Sequence, residues 1–390
     1  MKNNSNLNEN FYQDCLFTFE SYGCYCDVDI IHESPEETRH VIKAEALSSK
    51  PIKFAFQPKD GLVRISNKNG SVEESNILSS FISIKENDID GYRKFFERNG
   101  FLFPIGKDKF EELDDESILL LMNKMKTTVE LMSQISEVDR KNYKKILCLT
   151  LSLLFAQPAV LNIAGKEYKT CDHKLLNNEF KISNDITSKS FMKCDENRMF
   201  EVKDSIYGTF KVHYDEYRHY DSYEEVDDFE KALMHSYVNH EDAPHKERLL
   251  IEFLYHFYYG VGFIRTITAD DIEFRSCPVK WDAFDGKMKD ALIEVAKIVI
   301  AEEINSNLDG VHAEYDSNVM EPRWKVDSLL SALYFSIFYM KPNIEITRQC
   351  ANPTCGRYFT VSRTSSKKKY CCDDCRNRAL QNRYRAKHRK

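Results

Sequence analysis

The chain has 390 residues, 42% hydrophobic and 30% charged, with a formal net charge of −7. That length and apolar content support one or two buried cores and exclude a wholly disordered chain. Twelve cysteines follow a polar, Asn-rich start without an apolar export run, which predicts a reducing, cytoplasmic setting with free thiols and a metal in place of disulfides.

After a start expected to be unstructured, Cys24-Tyr-Cys-Asp-Val-Asp-Ile30 alternates strictly and predicts a half-buried strand with Cys24 and Cys26 inward. Ile52 to Phe56 and Leu62 to Ile65 repeat the alternation around a Pro58-Lys-Asp-Gly61 turn, and Ile82 to Ile84 reads as a further short strand. Residues 1–87 are therefore expected to form a mixed, β-rich region. From Ile89 the period becomes helical until Asn99-Gly100 supplies a stop. Asp114 or Asp115 caps a helix carrying Ile118, Leu121, Met122, Met125, Val129 and Met132 on one side, and Lys141 to Phe155 continues as a second, closed by Pro158.

Residues 162–221 are polar and weakly periodic, and read as an irregular insertion or a small hairpin, with alternation only near Gly208 to Tyr214. Helical patterns return at Tyr223 to Tyr237, His245 to Tyr259, Lys287 to Ile304 and Val326 to Met340. Residues 88–340 thus read as a mainly helical body. Its longest apolar stretches, Ile146 to Leu161 and Leu249 to Ile264, contain Gln157 and Pro158, or Glu252 and His256, and fall short of the roughly 20 residues of a membrane span, so no membrane association is expected.

The final segment, 341–390, differs. Cys350, Cys355, Cys371 and Cys375 form two close pairs around a short polar loop, the spacing a tetrahedral four-thiolate zinc site requires. With all four positions filled by protein, such a zinc ion is structural, and binding and folding are coupled. Cys372 adjoins Cys371 and leaves a C-x2-C register open for the third ligand. Fourteen Lys and Arg against three acids make this segment formally +11, so the preceding 340 residues carry −18. Asp373 or Asp374 caps a terminal helix presenting Arg376, Arg378, Arg383, Arg385, Lys387 and Arg389, with Leu380 and Tyr384 expected to pack on the finger, while Lys367, Lys368 and Lys369 form a second basic cluster. A helix with this charge suits phosphate contact or groove insertion. Docking back on the acidic body is the competing reading, and the two combine as an autoinhibited binder.

The stretch CANPTCGRYF, a Ser/Lys-rich loop and KKYCCDDCRNRALQNRYRAK together resemble the CGNR-type zinc finger at the C-terminus of a family of bacterial proteins. Leu329 to Met340 and Arg93 to Ile105 also look like the helical body before such fingers. The resemblance implies a stress-responsive transcriptional regulator. This chain reads Cys375-Arg376-Asn377-Arg378, with arginine where the family has glycine.

Other candidates read as structural. His235, His240 and His245 recur at a five-residue spacing that fits one helical face poorly, which predicts a solvated junction between helices; Cys24 and Cys26 read as inward strand positions. His213 and His219 amid tyrosines and acids show no convergence in sequence, and no phosphate-cradling loop, nucleophile elbow or paired-carboxylate signature occurs. The expected fold class is α+β: an N-terminal sheet region, a helical body and a small basic four-cysteine finger. The expected function is nucleic-acid binding, DNA before RNA, by a cytoplasmic bacterial regulator, with the question of catalysis left open. A protein-interaction module, with the finger as a cap or a dock for an acidic partner, is the second expectation.

Overall fold

A computed structural model of the chain describes residues 16–388 apart from 33–37, 58–59, 68–69, 107–108, 138–140, 164, 174–195, 214–227, 276–277, 318–319 and 366. The expected unstructured start, half of the Pro58 turn, His219 with its tyrosine-rich run, and Arg389 lie outside the described residues, as does the side chain of Lys387. Strands and helices both contribute, and the fold class is α+β. Two compact units are present, one of Met1–Ser136, Pro158–Cys171 and Ile304–Lys390, the other of Glu137–Gln157 and Asp172–Glu303. No helix among the described residues is long and apolar enough to cross a membrane.

The first unit is built on an antiparallel sheet of β1 (Phe17–His32), β2 (Thr38–Gln57), β3 (Gly61–Ile65) and β4 (Val72–Glu74) in that order, with β5 (Phe110–Asp114) added on β2. Phe17, Phe19, Cys24 and Cys26 of β1 all face the core, because a register shift between Tyr22 and Cys24 resets the alternation. The segment Ile82 to Ile84, expected as a strand, is instead the end of helix α1 (Ile77–Ile82) and the turn after it. Asn76 accepts from the Ser79 N–H and starts a turn that buries Ile77, Leu78, Phe81 and Ile82, so capping outweighs the local β-branched bias. Helix α2 (Ile89–Asn99) starts at an Asp88 cap and stops at Gly100, whose φ of 84° and the Tyr22 carbonyl, 2.9 Å from where a Cβ would stand, require glycine. Asp114 accepts from the Ser117 N–H at 2.7 Å and caps α3 (Asp115–Ser136). Strand β5 carries no alternation that sequence would reveal, since it buries Glu111 with Leu113 and exposes Phe110.

The second unit opens with α4 (Tyr143–Leu154), capped by Asn142. The next segment returns to the first unit as a hairpin of β6 (Val160–Ile163) and β7 (Lys166–Lys169). In the second unit β8 (Met199–Val202) pairs with β9 (Phe210–His213) where an irregular insertion or small hairpin was expected. Helices α5 (Asp228–Asn239) and α6 (His245–Tyr255) follow, and α6 runs into a π-helical turn, His256–Val261. A hairpin of β10 (Ile264–Ile267) and β11 (Ile272–Phe274) precedes α7 (Gly286–Asn305), which buries Met288, Leu292, Val295 and Val299 on one stripe.

Back in the first unit, β12 (Val311–Asp316) and β13 (Glu321–Val326) form a hairpin before α8 (Leu329–Phe338). Nine of the ten residues of α8 are buried, which its all-round apolar sequence demands. Phe335 of α8 packs on Phe17, itself stacked on Phe56 with centroids 5.3 Å apart. The chain then forms β14 (Glu345–Gln349) and β15 (Tyr358–Ser362) and ends in α9 (Asp373–His388).

Candidate metal centre

Two short pieces of local structure present the cysteines. Cys350 and Cys355 stand at the end of β14 and in the loop before β15, where the Cys350 N–H bonds to the Arg357 carbonyl and the Cys355 N–H to the Asn352 carbonyl. Gly356, at φ 65°, lets the chain turn out of this knuckle into β15. The second pair enters from the other side: Cys371 precedes α9 and Cys375 sits in its first turn, while the Ala351 N–H bonds across to the Lys369 carbonyl and holds the halves together.

The four sulfur atoms all lie within 4.8 Å of one another. Cys371 Sγ is 3.7 Å from Cys355 Sγ and 3.6 Å from Cys375 Sγ. Four thiolates at a metal–sulfur distance of about 2.3 Å form a tetrahedron with edges of about 3.8 Å, so the cluster can hold one metal ion. Cys372 lies outside this group, exposed, with its sulfur 3.9 Å from that of Cys371.

Electrostatics point the same way. Burial pushes the Cys350 thiol up, but the N–H groups of Cys371 and Asn352 and neighbouring thiols outweigh it and bring it below its ordinary value. Cys371 is pushed up by burial and by the thiols of Cys375, Cys355 and Cys350 around it. Thiolates this close repel, which opposes ionisation of the four together. A divalent cation removes that repulsion, and its binding displaces the remaining protons.

The centre sits over a small apolar cluster of Ile346, Phe359 and Val361. Its hairpin is also tied to the rest of its unit: the Tyr358 N–H bonds to Ser83 Oγ at 2.7 Å, the Tyr358 hydroxyl to Glu130, and Ser133 Oγ to the Thr347 carbonyl at 2.9 Å. Tyr358 and Phe359 are core residues.

Of α9, the root is buried at Cys375 and Ala379, and the remainder is exposed where described. Arg376, Arg378, Arg383 and Arg385 all reach solvent, as do Lys367, Lys368 and Lys369 in the preceding loop. Arg376 pairs with Asp373 within its own helix, and Arg383 donates to the Tyr370 hydroxyl at 2.9 Å. Among the described residues these cations make no ion pair with the acidic remainder of the chain. Leu380 and Tyr384, expected to pack on the finger, are instead 52% and 65% exposed, since the described buried positions of α9 are Cys375 and Ala379.

A second polar cluster, which the sequence does not reveal, lies wholly within the second unit. Asp204 Oδ2 accepts from His256 Nε2 at 2.6 Å and from the Tyr237 hydroxyl at 2.7 Å, while Oδ1 accepts the N–H groups of Ile206 and Tyr207. Burial pushes this carboxyl up, but the hydrogen bonds from His256, Tyr207 and Tyr237 more than offset it and hold its pKa at about 2. His240, expected at a solvated junction, is instead buried, with Nε2 facing Glu252 Oε1 at 2.8 Å and Nδ1 facing the Tyr237 carbonyl. Its five-residue spacing from His245 carries no signal, because the partner, Glu252, comes from the next helix. Tyr237 stacks on Tyr255 with centroids 3.6 Å apart and joins the two halves.

Comparison with protein-family models, with curated proteins and with solved structures finds no match for this chain.

Proposed function

We propose that the chain binds nucleic acid through its C-terminal finger, with one structural zinc ion held by Cys350, Cys355, Cys371 and Cys375. The observation that carries this reading is α9: it is anchored at its root beside the cysteines and exposes a row of arginines without ion pairs to the remainder of the chain among the described residues. Cations that are not neutralised internally are available to phosphates, and a rigid root fixes their register along a backbone. The likeness to CGNR-type fingers favours DNA and a role in transcription. The metal supports the helix and takes no part in chemistry.

The test is fluorescence anisotropy of the metal-loaded full chain with labelled DNA and RNA duplexes over a salt series. Replacing Arg378, Arg383 and Arg385 with glutamine should weaken binding almost equally across sequences and lower the slope of log K against log salt by about two to three. An unchanged slope overturns the reading. A protein partner is the second reading, favoured by the exposed Leu380 and Tyr384 one helical turn apart. Leu380→Ala with Tyr384→Ala should abolish that docking and leave the nucleic-acid salt slope unchanged.

A further inference from the structure

A cavity of about 270 Å3 lies within the first unit, between the sheet, α1, the end of α8 and the finger's own hairpin. Phe56, Leu62, Leu78 and Ile82 line it with hydrocarbon, and Tyr339 and Met340 close one side. Facing them are Asn76, Thr347 and Thr360, the two threonine hydroxyls bonded to each other at 3.2 Å. Pockets for small molecules run upward from about 300 Å3 and combine an apolar lining with a few convergent polar groups, so this cavity stands at the small end of that range and takes at most a one- or two-ring compound.

Glu345 decides the chemistry. It lines the cavity, and among the described residues its carboxylate has no hydrogen-bond or ion-pair partner. Burial pushes its pKa up and only Lys341, exposed at the rim, pulls it back. A carboxylate beside apolar walls loses hydration that an arriving cation restores by charge-assisted hydrogen bonding.

We propose that this cavity binds a small apolar molecule bearing a protonated amine, with the ammonium facing Glu345 and the body lying among Phe56, Leu62, Leu78 and Ile82. An aryl-alkyl amine and an amino acid with an apolar side chain share this chemistry. Lys341 distinguishes them, since it repels a lone ammonium and complements a ligand carboxylate. The site also borders the metal centre in sequence, because Glu345 opens the strand that leads into Cys350, and Thr360 lies on its partner strand. A ligand that bridges this hairpin to the sheet therefore stabilises the finger. The proposal does not depend on nucleic-acid binding.

The experiment is isothermal titration and differential scanning calorimetry of the metal-loaded full chain with tryptamine, L-tryptophan and indole-3-propionate. The amine-bearing probes should bind and raise the melting temperature, and indole-3-propionate should do neither. Glu345→Gln should reduce amine affinity about ten- to a hundredfold at unchanged metal content and circular dichroism. Lys341→Gln should weaken L-tryptophan and strengthen tryptamine; tighter binding of L-tryptophan than of tryptamine by the unaltered chain assigns an amino acid as occupant, and the reverse order a simple amine. Absence of binding by both amines at millimolar concentration overturns the proposal, as does equal binding of indole-3-propionate or unchanged affinity in Glu345→Gln.

Discussion

The four-cysteine cluster of the C-terminal segment and the Asp204 cluster of the second unit are both buried polar sites, and they are completed in opposite ways. Around Asp204 the protein supplies every counter-group: an imidazole, a hydroxyl and two backbone N–H groups converge on one carboxylate. Around Cys371 it supplies mainly more thiols, which oppose one another's ionisation. The first arrangement is satisfied by folding alone, whereas the second can take up a cation from outside the chain. The two sites should therefore fail under different conditions, the finger on loss of metal and the second unit on loss of charge at Asp204.

The largest effect is expected at the finger. Cys355→Ser, or chelation of the wild type, should reduce bound metal from one per chain to none by mass spectrometry under native conditions, with loss of the helical signal of α9. Apparent binding energies of structural zinc sites are about 10–16 kcal/mol at neutral pH, so a three-thiolate remnant should not survive a competing chelator. β14 and β15 should persist better than α9, because Tyr358 and Thr347 are bonded to Ser83, Glu130 and Ser133 independently of any metal. Hydrogen exchange distinguishes these segments; retention of one metal by Cys355→Ser would break the comparison.

The Asp204 site should respond to pH. Its carboxyl, which titrates at 3.8 as a free side chain and at about 2 when folded, stabilises the second unit by about 2 kcal/mol at neutral pH. Because the folded value is the lower one, that contribution is complete above about pH 4 and is lost as pH falls towards about 2. Asp204→Asn should thus be destabilised by about this amount at pH 7, with the difference shrinking in acid. Trp281 belongs to the second unit and Trp324 to the first, so denaturation followed in a Trp324→Phe background reads the relevant transition. A difference that persists in acid, near the folded pKa, would show that Asp204 acts through packing and not charge.

These two sites also differ in how far sequence exposes them. Cys350 with Cys355 and Cys371 with Cys375 are local pairs, each presented by a few residues of chain, so spacing singles out the centre and leaves only Cys371 against Cys372 to the geometry. Asp204, Tyr237, His240, Glu252 and His256 come from a loop, two helices and the short helical turn that follows each, and each taken alone has an ordinary place in its own pattern. The same distinction holds for the fold. α2, α3 and α7 are readable from caps and stripes, because helical signals are local. Strand β5 is not, since its inward position is Glu111, and Ile82 to Ile84 reads as a strand because its two isoleucines hide the end of a helix that the Asn76 cap starts. Nor does any composition shift mark the places where the chain leaves the first unit and re-enters it.

The smallest expected effect falls on Cys372 and sharpens the register of the centre. Its sulfur is 3.9 Å from that of Cys371, yet it is exposed at the start of α9, where the N–H groups of Cys375 and Asp374 lower its pKa. A thiol turned towards the end of a helix and bathed in solvent is a nucleophile. Cys372→Ser should keep one metal per chain and the full helical signal, while the metal-loaded protein loses one rapidly alkylated thiol. Cys371→Ser should lose the metal, because the group within 4.8 Å contains Cys371 and not Cys372. The reverse pattern would move the third ligand one residue along the chain and shorten the second pair to C-x2-C, while Cys375 would still hold the root of α9 and leave its arginines outward.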